Sequence, residues 1–444
     1  MAKIRDLAYH TWDGQSRVLD FIGAQAVHSG IHTTLLTGHN GSHKSTILKE
    51  LVASLAIADH KSRLTLNNGV HGPIPVICAS GSVADRFPPK EQGGRPTIFD
   101  VPNYVYIGQR VGTNLLSKKL PLETMVSFAL NRAVINRFAW PFYEKAFRLA
   151  GIAPMIDLEF RHAKPIKQSE QYSKSLIELV NHWATTAESG KNERQRLSAE
   201  MALYLKKEFS EVNFNEFDRD GKSRGPIRIQ LRNGEMNVVS PGLSTDAIRL
   251  GLLSDQLSLV NATVYPLRGK EKFSIYELSS GEYHLLTTIL ALGFSVEDGA
   301  IILIDEPENS LHPQWQQEFM DTLFEICSFM HDGHVVISTH SPLIVSSAPI
   351  NSTILDLSSS FETNPAVPVN FGASADEILF EQFGIASSRN RAVVEVVQRA
   401  VELTEKNLAS SEEFIDLIEQ LYVVRSQLRP NDPLKEVIDA LTEE

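Results

Sequence analysis

Residues 38–46 read Gly-His-Asn-Gly-Ser-His-Lys-Ser-Thr. A β-branched run, Ile31 to Thr37, precedes them, and apolar residues at helical spacing, Ile47, Leu48, Leu51, Val52 and Leu55, follow. A glycine-rich turn from a strand into a helix lets backbone N–H groups converge on phosphate oxygens, and the helix dipole adds its positive end. Gly38, Asn40, Gly41, Ser42, His43, Lys44, Ser45 and Thr46 are therefore the candidate cradle for a nucleotide's phosphates. Lys44 is expected to reach the β- and γ-phosphates, and the Ser45 hydroxyl to ligate Mg²⁺. His43 stands where the pattern G-x-x-x-x-G-K-[ST] has its second glycine, so its side chain crowds the loop–helix junction or changes the local φ and ψ. The alternative for this stretch by itself is a turn that binds nothing.

Three further stretches carry chemistry. Residues 300–306, Ala-Ile-Ile-Leu-Ile-Asp-Glu, read as a buried strand ending in two carboxylates at the edge of a parallel sheet where ligands bind. Asp305 would hold Mg²⁺ through water, and Glu306 would orient or deprotonate an attacking water. After the apolar run His334 to Ser338, His340 sits at a strand end within reach of a γ-phosphate. Leu278-Ser279-Ser280-Gly281-Glu282 opens an apolar helix, which makes a second anion site. That site is redundant within one chain. It makes sense if Ser279, Ser280, Gly281 and Glu282 complete a neighbour's ATP pocket; an ordinary N-cap turn is the alternative.

The order of these motifs resembles the ATP-binding-cassette ATPases, in the soluble branch that includes the SMC and RecF proteins. The resemblance implies ATP and Mg²⁺ as cofactors and a head-to-tail sandwich in which Lys44 of one subunit faces Ser279 and Gly281 of another. At least a dimer forms with ATP. It also implies a Q-loop near the metal, for which Gln109, after the strand-like Tyr104 to Ile107, is the candidate and Arg110 an equal one. Lys44 and Ser279 are 235 positions apart in the sequence, wider than in transporter cassettes, so a large insertion separates them. The stretch Asp305 to Pro313, the stretch Ile77 to Ser82 with Asp85-Arg86-Phe87, and Gly372 to Leu379 are similar to the ATPases of bacterial antiphage defence systems. The Septu type fits first and the PARIS type is its close competitor.

This resemblance implies a regulatory or sensor subunit that oligomerises and controls a partner nuclease, of the HNH type in Septu. No nuclease constellation is seen in the chain. The His43 substitution points to slow hydrolysis, with ATP acting as a ligand that stabilises an assembled complex. A RecF- or SMC-like DNA-binding repair ATPase is the alternative.

The elements that must position these groups are legible in outline. The fold class is α/β, an ABC-type P-loop ATPase head with a helical lid insertion and a C-terminal helical extension. Residues 1–119 read as the N-terminal ATPase lobe and 271–385 as the C-terminal lobe. Residues 120–270 read as a mostly helical lid with a hairpin turning at Asn233-Gly234, and 386–444 as an acidic helical tail. Within 191–232, ten basic and seven acidic residues read as a solvated face or as a DNA-facing groove. Phe414, Leu417, Ile418 and Leu421 form one apolar stripe, which either packs on the chain itself or docks a partner.

Composition sets the outer limits. The 444 residues carry 42 Lys+Arg and 54 Asp+Glu, a formal charge of −12. From Arg399 to Glu444 there are eleven acidic and five basic residues, so half of that charge lies in the tail. An acidic balance argues against nonspecific nucleic-acid binding by the whole surface and leaves a local basic groove open. Apolar runs are too short for a membrane span, and the first residues lack the apolar core of a signal peptide. With only two cysteines, Cys78 and Cys327, a cytoplasmic protein is expected.

Overall fold

Strands buried on both faces read as continuous apolar runs, and here those runs assemble into one parallel sheet. The computed structural model describes residues 3–11, 14–23, 30–39, 41–56, 63–67, 74–88, 91–92, 95–96, 104–111, 115–130, 140–162, 226–240, 245–253, 257–269, 271–358, 363–369, 391–406, 408, 411–427 and 433–442. The strands are β1 (Lys3–His10), β2 (Ser16–Asp20), β3 (Ile31–Thr37), β4 (Arg63–Asn67), β5 (Val76–Ser80) and β6 (Tyr104–Ile107). They continue with β7 (Ile152–His162), β8 (Ile227–Arg232), β9 (Glu235–Val238), β10 (Leu257–Pro266), β11 (Ile301–Asp305), β12 (Gly333–Ser338) and β13 (Thr353–Asp356). The central sheet runs β13-β3-β12-β11-β5-β6, all parallel, with the short strand Val367–Pro368 antiparallel outside β13. β12 therefore lies between β3 and β11, which brings the ends of three distant segments to one edge.

Alternate residues of these strands face opposite ways, so the sheet divides two cores. Ile302 and Ile304 point into one and Ile301 and Leu303 into the other. The second core is closed by α1 (Lys44–Leu55) and by a sheet of β2, β1 and β4. The first is closed by helices α2 (Leu120–Ala129), α3 (Trp140–Leu149), α4 (Thr245–Leu253), α5 (Ser280–Ser295) and α6 (Pro313–Cys327), and by an antiparallel sheet β9-β8-β7-β10. α7 (Pro342–Ser346) follows β12. Leu122, Met125 and Val126 of α2 share that core with Leu285 and Ile289 of α5, so the boundary expected at 119/120 is not a break in packing.

The expected lid departs from its helical reading. α2 and α3 are helices, but 152–162 is the strand β7, and 257–266 is the strand β10. In β7, Ile156, Leu158 and Phe160 are buried and alternate with Asp157 and Glu159, the two-residue period of a half-buried strand. The hairpin is where the sequence placed it. Asn233 and Gly234 both have positive φ, 51° and 79°, as a two-residue turn between twisted strands requires. Residues 163–225 lie outside the described residues, as do most of the basic stretch and residues 370–390 with the Gly372 to Leu379 segment.

The tail helices α8 (Arg391–Glu405), α9 (Glu412–Gln427) and α10 (Pro433–Thr442) pack around Val393, Val397, Leu403, Val424 and Ile438. Phe414 and Leu421 are buried in that cluster, and Leu417 and Ile418 pack against it. The apolar stripe of α9 is thus spent on its own bundle and is not a docking face.

Candidate functional site

The site begins where β3 hands over to α1. His43 precedes the helix in a left-handed conformation, φ 71° and ψ 14°, with no side-chain cap. That backbone costs a residue with a Cβ about 1–2 kcal/mol, and histidine is among the side chains found there more often than most. The loop therefore keeps the turn that the missing glycine would make, and His43 bears the strain. Gly38, at φ 137°, opens the loop in a conformation L side chains rarely adopt. Lys44 is buried, and its Nζ donates to the carbonyls of Gly38 (2.9 Å) and His39 (3.2 Å) and to Ser42 Oγ (3.5 Å). Burial lowers the Lys44 pKa, while Glu306, Asp305 and Glu308 pull it back up. Asn40 lies outside the described residues.

Parallel pairing of β11 with β12 and β5 sets Asp305 opposite Ser338 and Ser80. Ser45 Oγ donates to Asp305 Oδ1 at 3.1 Å across 260 positions of sequence, and Ser338 Oγ donates to the same oxygen. Burial pushes the Asp305 carboxyl up to about 6; the two hydroxyls oppose this, and neighbouring Glu306 adds to it. A hydroxyl and a desolvated carboxylate at this spacing suit Mg²⁺, which takes one or two protein oxygens and completes its shell with phosphates and water. Among the described residues no group of three or more His, Cys, Asp or Glu side chains is placed to hold a metal. The donor set thus fits an ion shared with a nucleotide rather than one caged by protein.

Glu306 has φ 48°, with its N–H donating to the Ser338 carbonyl at 3.0 Å. Its Oε2 accepts from Asn309 Nδ2 at 2.7 Å, and its Oε1 lies 3.7 Å from His340 Nε2. Burial lowers the His340 pKa, as does nearby Lys44, with Glu306 opposing. Sequence reasoning missed the residue that fixes this histidine. Glu308 Oε1 accepts from Thr339 Oγ1 (2.9 Å) and from the His340 N–H (2.6 Å), pinning the turn after β12. Among the described residues its Oε2 is buried without a partner, and burial raises its pKa. The Asp-Glu-Pro-Glu spacing was the available signal; the contact across 32 positions was not readable.

The 278–282 motif occupies the start of α5. Ser279 is the N-cap: its Oγ accepts from the Glu282 N–H (3.3 Å), and Glu282 Oε2 accepts from the Ser279 N–H (2.8 Å), a closed capping box. Ser279 and Ser280 are exposed, while Gly281 is buried against the Ser310 carbonyl. Among the described residues no hydrogen bond or ion pair joins 279–282 to 38–46.

Among the described residues no hydrogen bond or ion pair joins Gln109 to Ser45 or Asp305. This glutamine follows β6, the edge strand, and β5 stands between β6 and β11, about 10 Å across two strand spacings. The loop next to Asp305 is instead that of β5, whose Gly81 N–H donates to the Asp305 carbonyl at 2.9 Å. Gln109 lines a cavity of about 210 Å³ with Ser80, Lys118, Tyr276 and His284. Tyr276 OH and His284 Nε2 are buried there without partners among the described residues. Burial lowers the His284 pKa to about 4, so the ring is neutral near pH 7. Arg110, the equal candidate, is engaged with Asp85 at 3.2 Å.

A family model described as "AAA domain, putative AbiEii toxin, Type IV TA system" matches residues 169–346. The Septu protein PtuA of Bacillus thuringiensis is 30% identical over 153 residues, 33% of this chain and 37% of that protein. Protein ea59 of Escherichia phage lambda is 35% identical over 75 residues, 17% of this chain and 14% of that protein. The matched stretch thus spans little more than a third of the first relative. Among solved structures, a putative metal-chelate type ABC transporter aligns over 86% of this chain and 89% of its own, at 13% identity and TM-score 0.34. An SMC head bound to the C-winged helix domain of ScpA aligns over 82% and 96%, at 14% identity and TM-score 0.29. The chain resembles ABC-like AAA ATPases and, among them, PtuA; its own strand order and phosphate loop carry the fold assignment. No helix among the described residues is long and apolar enough to cross a membrane.

Proposed function

We propose that this chain is the ATP-binding regulatory subunit of a bacterial antiphage defence complex, that it associates head to tail through its ATP sites, and that it controls a partner nuclease of the HNH type. The supporting observation is the 3.1 Å contact of Ser45 with Asp305, which gathers Lys44, Glu306 and His340 at one sheet edge while Ser279 to Glu282 stand apart. Mg²⁺ bound there neutralises phosphate charge. Lys44 exchanges its loop carbonyls for phosphate oxygens, and Ser45 and Asp305 hold the ion. Glu306, oriented by Asn309, takes the proton of the attacking water, and His340 lies on the same side. Ser279, Ser280, Gly281 and Glu282 of a second copy close the pocket. The strained His43 slows turnover, which makes ATP more a structural ligand than a fuel. Similarity to PtuA and the antiphage-type stretches support the defence assignment and a cytoplasmic location.

The DNA-clamp alternative gains no support from the described surface of the β7–β10 sheet. There Arg228 pairs with Glu159 at 3.3 Å, and Arg232 pairs with Asp157, so these two arginines are already neutralised. Phage challenge of cells carrying the chain with its neighbouring genes tests the reading. Wild type is expected to protect and Lys44→Ala to lose protection by at least about tenfold in plaque count, the scale of one lost charged phosphate contact. Full protection by Lys44→Ala contradicts it.

A further inference from the structure

The turn after β5 delivers a cation to the phosphate loop. Arg86 is exposed, and its Nη1 donates to Thr46 Oγ1 at 2.8 Å. Thr46 follows Ser45 directly in the first turn of α1, so consecutive residues touch the Asp305 carboxylate and the Arg86 guanidinium.

Buried anchors on both sides fix Arg86. Asp85 is 3% exposed; its Oδ2 accepts from Tyr106 OH (2.7 Å), and its Oδ1 accepts from the Phe87 N–H (3.1 Å) and Arg110 Nη2 (3.2 Å). Phe87 is 1% exposed, inside the core that also holds α1. The neighbouring carboxylate is therefore taken by Arg110, and among the described residues none pairs with Arg86.

The electrostatics of this arrangement call for an anion. The first turn of α1 has no acidic residue and no side-chain cap, and it already carries Lys44. A second cation at the positive end of a helix is unfavourable by itself. An anion lying along that turn reverses the sign, and a guanidinium with five donors, one spent on Thr46, suits phosphate oxygens.

We propose that Arg86 is a nucleotide-binding residue: its guanidinium holds the phosphates from the Thr46 side of the first turn of α1, positioned by the Asp85–Arg110 latch. This rests on the nucleotide reading of the loop and adds a ligand that the 38–46 motif does not contain.

Calorimetric titration of the full chain with ATP, ADP and AMP tests it, using wild type, Arg86→Ala, Arg86→Lys and Lys44→Ala, with a DNA duplex as the control for backbone phosphate. Arg86→Ala is expected to weaken ATP and ADP binding by about ten- to hundredfold, the range for a hydrogen bond to a charged group, with the unfolding temperature of the free chain unchanged. Arg86→Lys recovers part of the loss, and the salt dependence of ATP affinity becomes shallower in Arg86→Ala. Wild-type affinity in Arg86→Ala, a loss confined to stability, or a loss confined to DNA overturns the proposal. Undiminished ATP binding by Lys44→Ala overturns the nucleotide reading itself, and the proposal with it; binding lost in Lys44→Ala but kept in Arg86→Ala removes the proposal alone.

Discussion

His43 shows how one residue sets a loop's energy without changing its path. A left-handed backbone at φ 71° is retained, and the cost is local. His43→Gly relieves strain of about 1–2 kcal/mol and returns about 0.5–1 kcal/mol through the freer unfolded chain, so a net gain of about 0.5–1 kcal/mol is expected. Urea unfolding reads that gain. Steady-state ATP hydrolysis is expected to rise in the same variant, because the imidazole no longer crowds the turn beside Lys44. Equal turnover in the two proteins would remove His43 as the brake. At this scale the motif residues were legible because each sits in a contiguous run next to a strand end. Glu308 and Ser338 were not, because their partners, His340 and Asp305, lie 32 and 33 positions away and meet only through parallel pairing.

Helix α5 illustrates the element scale. Its first turn is held by its own capping box and pressed against the segment after β11. A Cβ on Gly281 would stand 2.4 Å from the Ser310 carbonyl oxygen and 3.1 Å from the Trp315 ring. Gly281→Ala must shift one or the other, with an expected loss of about 1–3 kcal/mol in urea unfolding. ATP-driven association should fall further than ATP binding by the single chain if, as proposed, Gly281 serves the neighbour's site. An unchanged unfolding curve would mean that α5 is free to slide.

The same scale explains which elements were hidden. In β10 a register shift between Leu259 and Asn261 interrupts the alternation, so a period of two does not run through it. In β7 the alternation from Ile156 to Phe160 is intact, but Pro154 upstream reads as helix punctuation. The neighbours of Gln109 were hidden for a different reason. Strand order is a property of the sheet, and nothing in the sequence says that β5, not β6, adjoins β11.

For the whole molecule, charge and assembly belong together. The −12 of the chain is shared between an acidic tail whose helices form their own bundle and a body in which Arg228 and Arg232 are paired with carboxylates. Neither feature favours a broad DNA-binding surface. On the proposed head-to-tail reading, Ser279 to Glu282 of a second copy would complete the site at the phosphate loop. The central claim is tested most directly by sedimentation velocity on the Glu306→Gln chain, which is expected to retain bound ATP, with and without Mg-ATP. The account predicts a larger species on adding Mg-ATP and its loss in a Glu306→Gln/Ser279→Arg chain that still binds ATP. An identical mass with and without nucleotide, or assembly that Ser279→Arg leaves intact, would contradict it.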